Sequence, residues 1–524
     1  MDIQSFSKNR QVRALTKFNE TYALIMVIIF SVIPLMAMFS PQDFGPIFTG
    51  IGKLMIYSLI FLGLFQLISY ATFNSKYSVS DRLNFCMKRG LTSILEHKVG
   101  IILIVFFVLT LISALVAYTN GKDVIANLEY ANNISHDEAV RMFKDMSFTD
   151  TRLYKGTDFR PDGVYMYICY GAVFIYASML KNPKYKKIIF GVNIIGFAAI
   201  SLIVLQQYYG IIGSAGVKEP GSFGRALMEF YDKKGVRIGH FYKGFTGSFY
   251  NLNHAAYYLL VGSMLISGKV IMSKKTVSKI LWSLFALYSY YILIINDTFG
   301  CYLALIATLV IIGVLKLIYD FKILEKGTYK VWRIILDSLL PLLLVVVMSV
   351  SFIAFSGEEN SIIKNFKNLG KDVKKVATSD NLEEEHAGSG RLEMWLATVD
   401  MIKEKPIFGY GPDNLKSAYV EREAKLDRAH NEPLEKAVAS GIPSALVYYA
   451  AVILAIVLFL KNKRNFGSET SLLPFMALVG YLISSLFGVF LFYTAGYFVM
   501  MLAFISSDKK EPELLDAKST KNLK

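Results

Sequence analysis

Arg391 and His430 are the residues of this chain whose types and setting best suit chemistry on a charged, membrane-borne substrate. They lie in a polar stretch, residues 356–433, between greasy segments. The motifs there are GSGRLEMW (388–395), PIFGYGPDN (406–414) and AHNEPLEKAVASGI (429–442). A guanidinium is planar, stays charged and offers a fork of donors that fits phosphate oxygens; a lysine ammonium has no such bidentate geometry. His430 stands just ahead of Asn431-Glu432-Pro433. Proline favours the first turn of a helix, so His430 or Asn431 is expected as the N-cap. The positive end of a helix disfavours imidazolium and keeps the ring able to accept a proton. Glu432 and Glu435 act in the opposite sense. A fixed cation and a proton acceptor on one membrane face meet the needs of binding a phosphorylated lipid and activating a hydroxyl. Purely structural roles compete: Arg391 pairing with Glu393 or a headgroup, and His430 capping a helix.

Further upstream, Arg237 is a second candidate cation for an anionic substrate, with Lys243 as its rival and His240 as an alternative base. All three sit among Arg225, Lys233 and Lys234, where a solvated loop charge is an equally good reading. Asn253, Asn431, Trp395, Gly409 and Gly411 are read as architecture, with Trp395 an interfacial anchor and the glycines turn residues. The acidic run Glu383–Glu385 reads as a solvated face rather than a metal site. No Asp-x-Asp, Walker-type loop or nucleotide-binding glycine fingerprint occurs, so any energy for transfer must come from the substrate itself. No cofactor and no metal are expected. Cys86, Cys169 and Cys301 are scattered and imply neither a disulfide framework nor a metal centre.

The elements that must position these residues are membrane spans. The chain has 524 residues, is 54% hydrophobic and 19% charged, and has a mean hydropathy of +0.43. A soluble chain would carry nearer a quarter charged residues. Apolar runs long enough to cross a hydrocarbon core of about 30 Å recur throughout. They predict an all-α polytopic membrane protein with about twelve spans: 21–39, 51–73, 100–118, 164–180, 188–207, 254–272, 279–296, 299–319, 333–355, 434–460, 471–488 and 490–506. The first follows Lys8, Arg10, Arg13 and Lys17 but lacks a convincing cleavage site, so it reads as a retained helix. The last two form one nearly continuous stretch, divided by Gly488 into a hairpin.

Lysine and arginine gather in the N-terminal tail, 74–99, 181–187, 273–279, 319–332, 461–464 and the C-terminal tail, whereas 40–50 and 296–298 carry none. The positive-inside rule therefore puts both termini in the cytoplasm and the long polar segments 119–163, 208–253 and 356–433 outside. The chain thus divides into spans one to nine with two outer loops (1–355), a long outer loop holding the motifs (356–433), spans ten to twelve (434–507) and a cytoplasmic tail (508–524). Net charge of +15 is spread over many short loops, which argues against nucleic acid as a partner. Ser135-His136-Asp137-Glu138 reads as a capping box opening a short helix through Met146. Apolar residues from Ile362 to Val376 at helical spacing, with lysines between, predict a basic amphipathic helix, lying on the membrane or packing on the protein's own spans.

The three motifs, in this order on one face, resemble the O-antigen ligase and Wzy-type polysaccharide polymerase family. GSFYNLNHAAYYL (247–259) resembles that family's upstream element, and the alignable part covers about 237–449. One departure is visible: where the family often shows Ser-Arg-Gly, this chain reads Asn296-Asp297-Thr298-Phe299-Gly300, without an arginine. The resemblance implies a GT-C-like enzyme of the cytoplasmic (inner) membrane. It would transfer glycan from an undecaprenyl-diphosphate-linked oligosaccharide donor to an acceptor hydroxyl on the outer face, without metal. His430 would be the general base, with Arg391 and Arg237 or Lys243 on the diphosphate. A flippase and chain-length regulators are the partners such an enzyme implies. Repeat-unit polymerase is the first expectation; alternatives are ligation of polymer to lipid A-core, protein glycosylation and, from another class, a polysaccharide-lipid transporter. A transporter would place polar residues near the bilayer midplane and show repeated halves; neither is visible here.

Overall fold

The computed structural model describes residues 10–37, 44–73, 78–89, 98–157, 161–209, 229–231, 237–240, 245–249, 251–324, 331–356, 362–368, 371, 391–424, 427–488 and 492–506. Apolar helices stand wherever the hydropathy predicts a span. Nine of them, among the described residues, are long and apolar enough to cross a membrane: α1 (Arg10–Ser31), α2 (Phe44–Thr72), α4 (Lys98–Asn120), α8 (Pro183–Tyr208), α9 (Leu252–Met272), α10 (Thr276–Asn296), α11 (Phe299–Leu324), α12 (Val331–Ser356) and α15 (Ile442–Lys461). Shorter apolar helices α7 (Val164–Met179), α16 (Glu469–Ser485) and α17 (Phe492–Ser506) fill the remaining three places. Between and around them are the polar helices α3 (Val79–Arg89), α5 (Lys122–Asn132), α6 (His136–Asp145), α13 (Arg391–Glu404) and α14 (Glu432–Ser440).

Helix α9 is the axis of the bundle, packed against α8, α10, α11, α12, α16 and α17. Small residues let neighbours come this close: a Cβ on Gly262 would stand 2.4 Å from the Phe197 ring, and one on Gly268 2.7 Å from Leu473. Ser267 and Tyr290 share a hydroxyl–hydroxyl bond of 2.7 Å across α9 and α10. With little hydrophobic force between helices in lipid, such close packing and buried bonds hold a bundle together.

Polar side chains stitch the connections into two separate sets. At one end, Glu20 accepts from the Asn182 amide, and Glu469 pairs with Lys187 and Lys269. At the other end, Gln207 and Gly247 exchange two bonds of 2.9 and 3.2 Å, Asn296 Nδ2 donates to the Phe245 carbonyl at 3.0 Å, and Ser248 Oγ to that of Pro34 at 2.9 Å. The first set includes the lysine-rich connection at 181–187, and the second the end of the polar segment 208–253.

Two features differ from expectation, and a third settles an alternative left open. The tenth span does not run unbroken from 434: Gly441, at φ +85°, separates α14 from α15, so only Ile442–Lys461 remains as the spanning piece. A short antiparallel strand pair, β1 (Glu229–Tyr231) with β2 (Arg237–His240), stands within the polar stretch 208–253 of the all-α fold. The amphipathic helix is described at 362–368 and at 371, where it packs on the bundle: Ile362 is buried in the main core, and the Phe366 ring meets Phe299 edge-on at 5.1 Å. Its continuation to Val376, and Glu383–Glu385, lie outside the described residues. Ser135 is the N-cap of α6, with Oγ accepting from the Glu138 amide at 3.4 Å.

Candidate functional site

The second motif is locked to the helix inside the third and to Ile442 just beyond that helix. Amides of Tyr410 and Gly411 donate to the carbonyls of Val438 and Ala439 at 3.0 and 2.8 Å, and the Ile442 amide to that of Pro406 at 2.8 Å. Ser113 on α4 donates to the carbonyls of Phe408 and Ala439 at 2.5 and 3.1 Å. The glycines are required by this interlock. Gly409 and Gly411 sit at φ +65° and +92°, and a Cβ on Gly409 would stand 2.4 Å from the Val438 carbonyl oxygen. They are turn residues, as the sequence indicates. Around them α13 and α14 enclose a small core of Met394, Met401, Tyr410, Tyr419 and Val438, on which Trp395 packs. Its indole N–H is buried there without a hydrogen-bond partner, so the ring serves this outer core.

Arg391 opens α13. Burial lowers its guanidinium from the ordinary arginine value, while the Tyr257 phenol and the Cys301 thiol act on it electrostatically in the opposite sense. Those neighbours bring it to the N-terminal ends of α9 and α11. Asn431, not His430, is the N-cap of α14: its Oδ1 accepts from the Leu434 amide at 3.1 Å. His430 takes a left-handed φ of +48° immediately before that cap, a conformation that costs a non-glycine residue about 1–2 kcal/mol.

The turn at Ser484–Gly488 joins the two halves. Tyr257, beside Arg391, donates its hydroxyl to the Ser484 carbonyl at 2.9 Å. Asn431, beside His430, donates Nδ2 to the Leu486 carbonyl at 3.1 Å. A Cβ on Gly488 would lie 2.1 Å from the Tyr257 hydroxyl, so this turn demands glycine where the sequence marks a hairpin.

Asn253 is the second residue of α9, two positions after the actual cap, Asn251, whose side chain accepts from the Asn253 amide at 2.8 Å. Arg237 lies in β2 opposite Tyr231; its side chain and that of His240 are not described, and Lys243 lies outside the described residues. At the place without the family arginine, Asp297 instead accepts from Asn365 Nδ2 at 2.9 Å and fastens the amphipathic segment.

A set of buried charges escaped sequence reading because its members look like ordinary loop charges. Arg428 reaches Asp162 at 2.7 Å, Asp413 at 2.8 Å and Glu435 at 3.6 Å. These carboxylates hold its guanidinium well above the ordinary value against burial. Glu432 is fully buried and accepts from the Tyr448 hydroxyl at 2.8 Å; burial raises its carboxyl, and the same holds for Glu435. Lys436 donates to the Tyr167 hydroxyl at 3.1 Å and lies over the rings of Phe106, Tyr167 and Tyr448. Burial pushes its ammonium down to about 8.

The fold defines a multi-pass α-helical membrane protein, with the polar helices α13 and α14 packed together beside its spans. Residues 283–449 match the family model described as O-antigen ligase, a stretch from within α10 into α15 that contains Arg391, His430 and all three motifs. The resemblance to the O-antigen ligase and Wzy-type family therefore stands on the match as well as on the motifs. The upstream element at 247–259, Arg237 and Lys243 precede the matched residues. No curated protein matches the chain.

Proposed function

We propose that the protein is a glycosyltransferase that extends a polysaccharide on the outer membrane face from an undecaprenyl-diphosphate-linked oligosaccharide. In this reading His430 takes the proton of an acceptor sugar hydroxyl, whose oxygen attacks the anomeric carbon of the donor. The bond from that carbon to the diphosphate oxygen breaks, and Arg391 holds the charge that develops on the leaving diphosphate. Arg237 or Lys243 supplies a second cation to the diphosphate, and Asn431 orients the histidine loop. The family match favours glycosyl transfer of the ligase or polymerase kind and a lipid-linked polysaccharide as substrate. The reading rests on one observation: the Ser484–Gly488 turn receives both Tyr257, beside Arg391, and Asn431, next to His430. Ligation of finished polymer to a lipid acceptor is the second reading, since O-antigen ligase is the description of the matching family.

The test is conversion of lipid-linked repeat units by the purified protein without nucleotide or added metal. Longer chains indicate polymerase, and transfer only to a separate lipid acceptor indicates ligase. Movement of the lipid across vesicles without any new glycosidic bond refutes both. His430→Ala is expected to lower turnover by about 10²–10⁴-fold, and Arg391→Lys to lose more than a charge-conserving change at an exposed site. Properly inserted variants with unchanged turnover would remove these assignments.

A further inference from the structure

A polar pocket of about 270 Å³ opens between α5, α6 and a one-turn helix, Arg152–Lys155. Buried Val124 and Leu153 give it an apolar floor, while Asn132, Arg152 and Lys155 supply polar groups. Its volume lies below the roughly 300–1,000 Å³ of sites for drug-sized ligands, so it suits one ring rather than a chain.

The charges around it are not balanced. Among the described residues, neither Arg152 nor Lys155 has an ion pair. Arg152 is half-buried and Lys155 exposed, and their i,i+3 spacing in the turn puts them on one face. The carboxylate of the lining, Asp150, is exposed and accepts from the Ser147 hydroxyl.

Hydrogen bonds build the pocket into the candidate site. Asn414 of the second motif lines it, and the Asn414 carbonyl and Oδ1 both accept from Asn127 Nδ2 at 3.0 Å. Asn127 Oδ1 accepts from the Ser417 amide at 3.0 Å, and both asparagines are buried. Asp413, next to Asn414, meets Arg428 at 2.8 Å, two positions ahead of His430. A sugar ring suits such a lining. Its C–H face packs on the floor, its hydroxyls meet Asn132 and Asp150, and an anionic substituent meets the two cations.

We propose that this pocket is a subsite for one sugar of the glycan, a sugar whose carboxylate or phosphate is held by Arg152 and Lys155. The proposal rests on the reading of the protein as a glycosyltransferase and adds a chemical feature of its substrate.

The probes are methyl glucuronide, glucose phosphate and the neutral methyl glucoside, with glycerol phosphate standing for a lipid headgroup. Binding to the full-length protein in phosphatidylcholine nanodiscs is followed by saturation-transfer NMR. One or both anionic sugars are expected to bind, and which of them does tells carboxylate from phosphate. Methyl glucoside is expected to bind about tenfold more weakly. Arg152→Gln and Lys155→Gln, with melting curves matching wild type, should each weaken the anionic sugar about tenfold and leave methyl glucoside unchanged. Binding of neither anionic sugar overturns the proposal, as does equal binding of methyl glucoside or unchanged affinity in both variants. Equal competition by glycerol phosphate overturns it in favour of a headgroup site. A protein that binds an anionic sugar here but forms no glycosidic bond from lipid-linked repeat units loses the transferase reading and keeps the subsite. One that extends chains but binds neither anionic sugar loses the subsite alone.

Discussion

Arg428→Met offers the sharpest test of how the polar segment is held on the bundle. The arginine side chain is only 10% exposed, and its partners Asp162, Asp413 and Glu435 are 11%, 5% and 10% exposed. Methionine conserves much of the volume and removes the charge, leaving three carboxyl groups facing one another away from water. Breaking a buried pair from one side costs about 3–5 kcal/mol, because the surviving charge is uncompensated. At about 1.4 kcal/mol per tenfold, local opening of α13, α14 and the segment between them should become roughly two to three and a half powers of ten more frequent. Hydrogen exchange of amides in Tyr410, Gly411 and Ile442, which bridge the interlock, reads this directly in the detergent-solubilised protein. Arg422→Met is the control: its partner Glu404 is 53% exposed, and a surface pair of this kind is worth about 1 kcal/mol or less. Adding Asp162→Asn and Asp413→Asn to Arg428→Met should restore part of the protection, since the stranded charges go with them. If Arg428→Met loosens these amides no more than Arg422→Met does, the buried network does not fasten the segment and the reasoning fails.

Two further outcomes follow from the same region, with Gly50 in α2 as a control for the first. Gly441→Ala puts a Cβ 1.9 Å from the Ile407 carbonyl oxygen at a φ of +85°, so the left-handed penalty of about 1–2 kcal/mol adds to a backbone clash and melting should fall well below wild type. Gly50→Ala, with nothing within 4 Å of the added carbon, should hold or gain up to about 1 kcal/mol through helix propensity. Glu432→Gln should flatten the pH dependence of melting. Burial raises the folded-state carboxyl, so wild-type stability is full below the ordinary carboxylate range and declines as pH rises through the raised value. Glutamine still accepts from Tyr448 and has no such decline. Glu435, raised likewise, and Lys436, lowered, keep a residual slope; an unchanged slope from pH 4 to 8 would show that Glu432 does not titrate as a buried acid.

Hydropathy made the twelve apolar helices legible because each covers its backbone with its own hydrogen bonds and needs only length and greasiness to be recognised. It failed at Gly441, where Ala-Ser-Gly-Ile-Pro sits inside a nearly continuous apolar run. The break there is imposed by a carbonyl from Ile407, more than thirty positions away, which no local pattern records. Gly409 and Gly411 were legible as turns since a positive φ is a local need, whereas the contact that favours glycine at 488, the Tyr257 hydroxyl, comes from a distant helix. The β1–β2 pair left no signal among scattered lysines and glycines. Arg428, Asp162, Asp413, Glu435 and Lys436 were missed for a different reason. Each has the composition of a solvated loop, and only the folded chain brings them under the polar segment. His430 was placed correctly ahead of a helix, but which residue caps it was settled by Asn431, whose side chain bonds both its own helix and the Leu486 carbonyl.

The backbone lock between Pro406–Gly411 and Val438–Ile442 makes the polar segment and α15 one lever. Any shift of that helix is therefore passed to α14 and the histidine loop through backbone hydrogen bonds, with no side chain in between to absorb it.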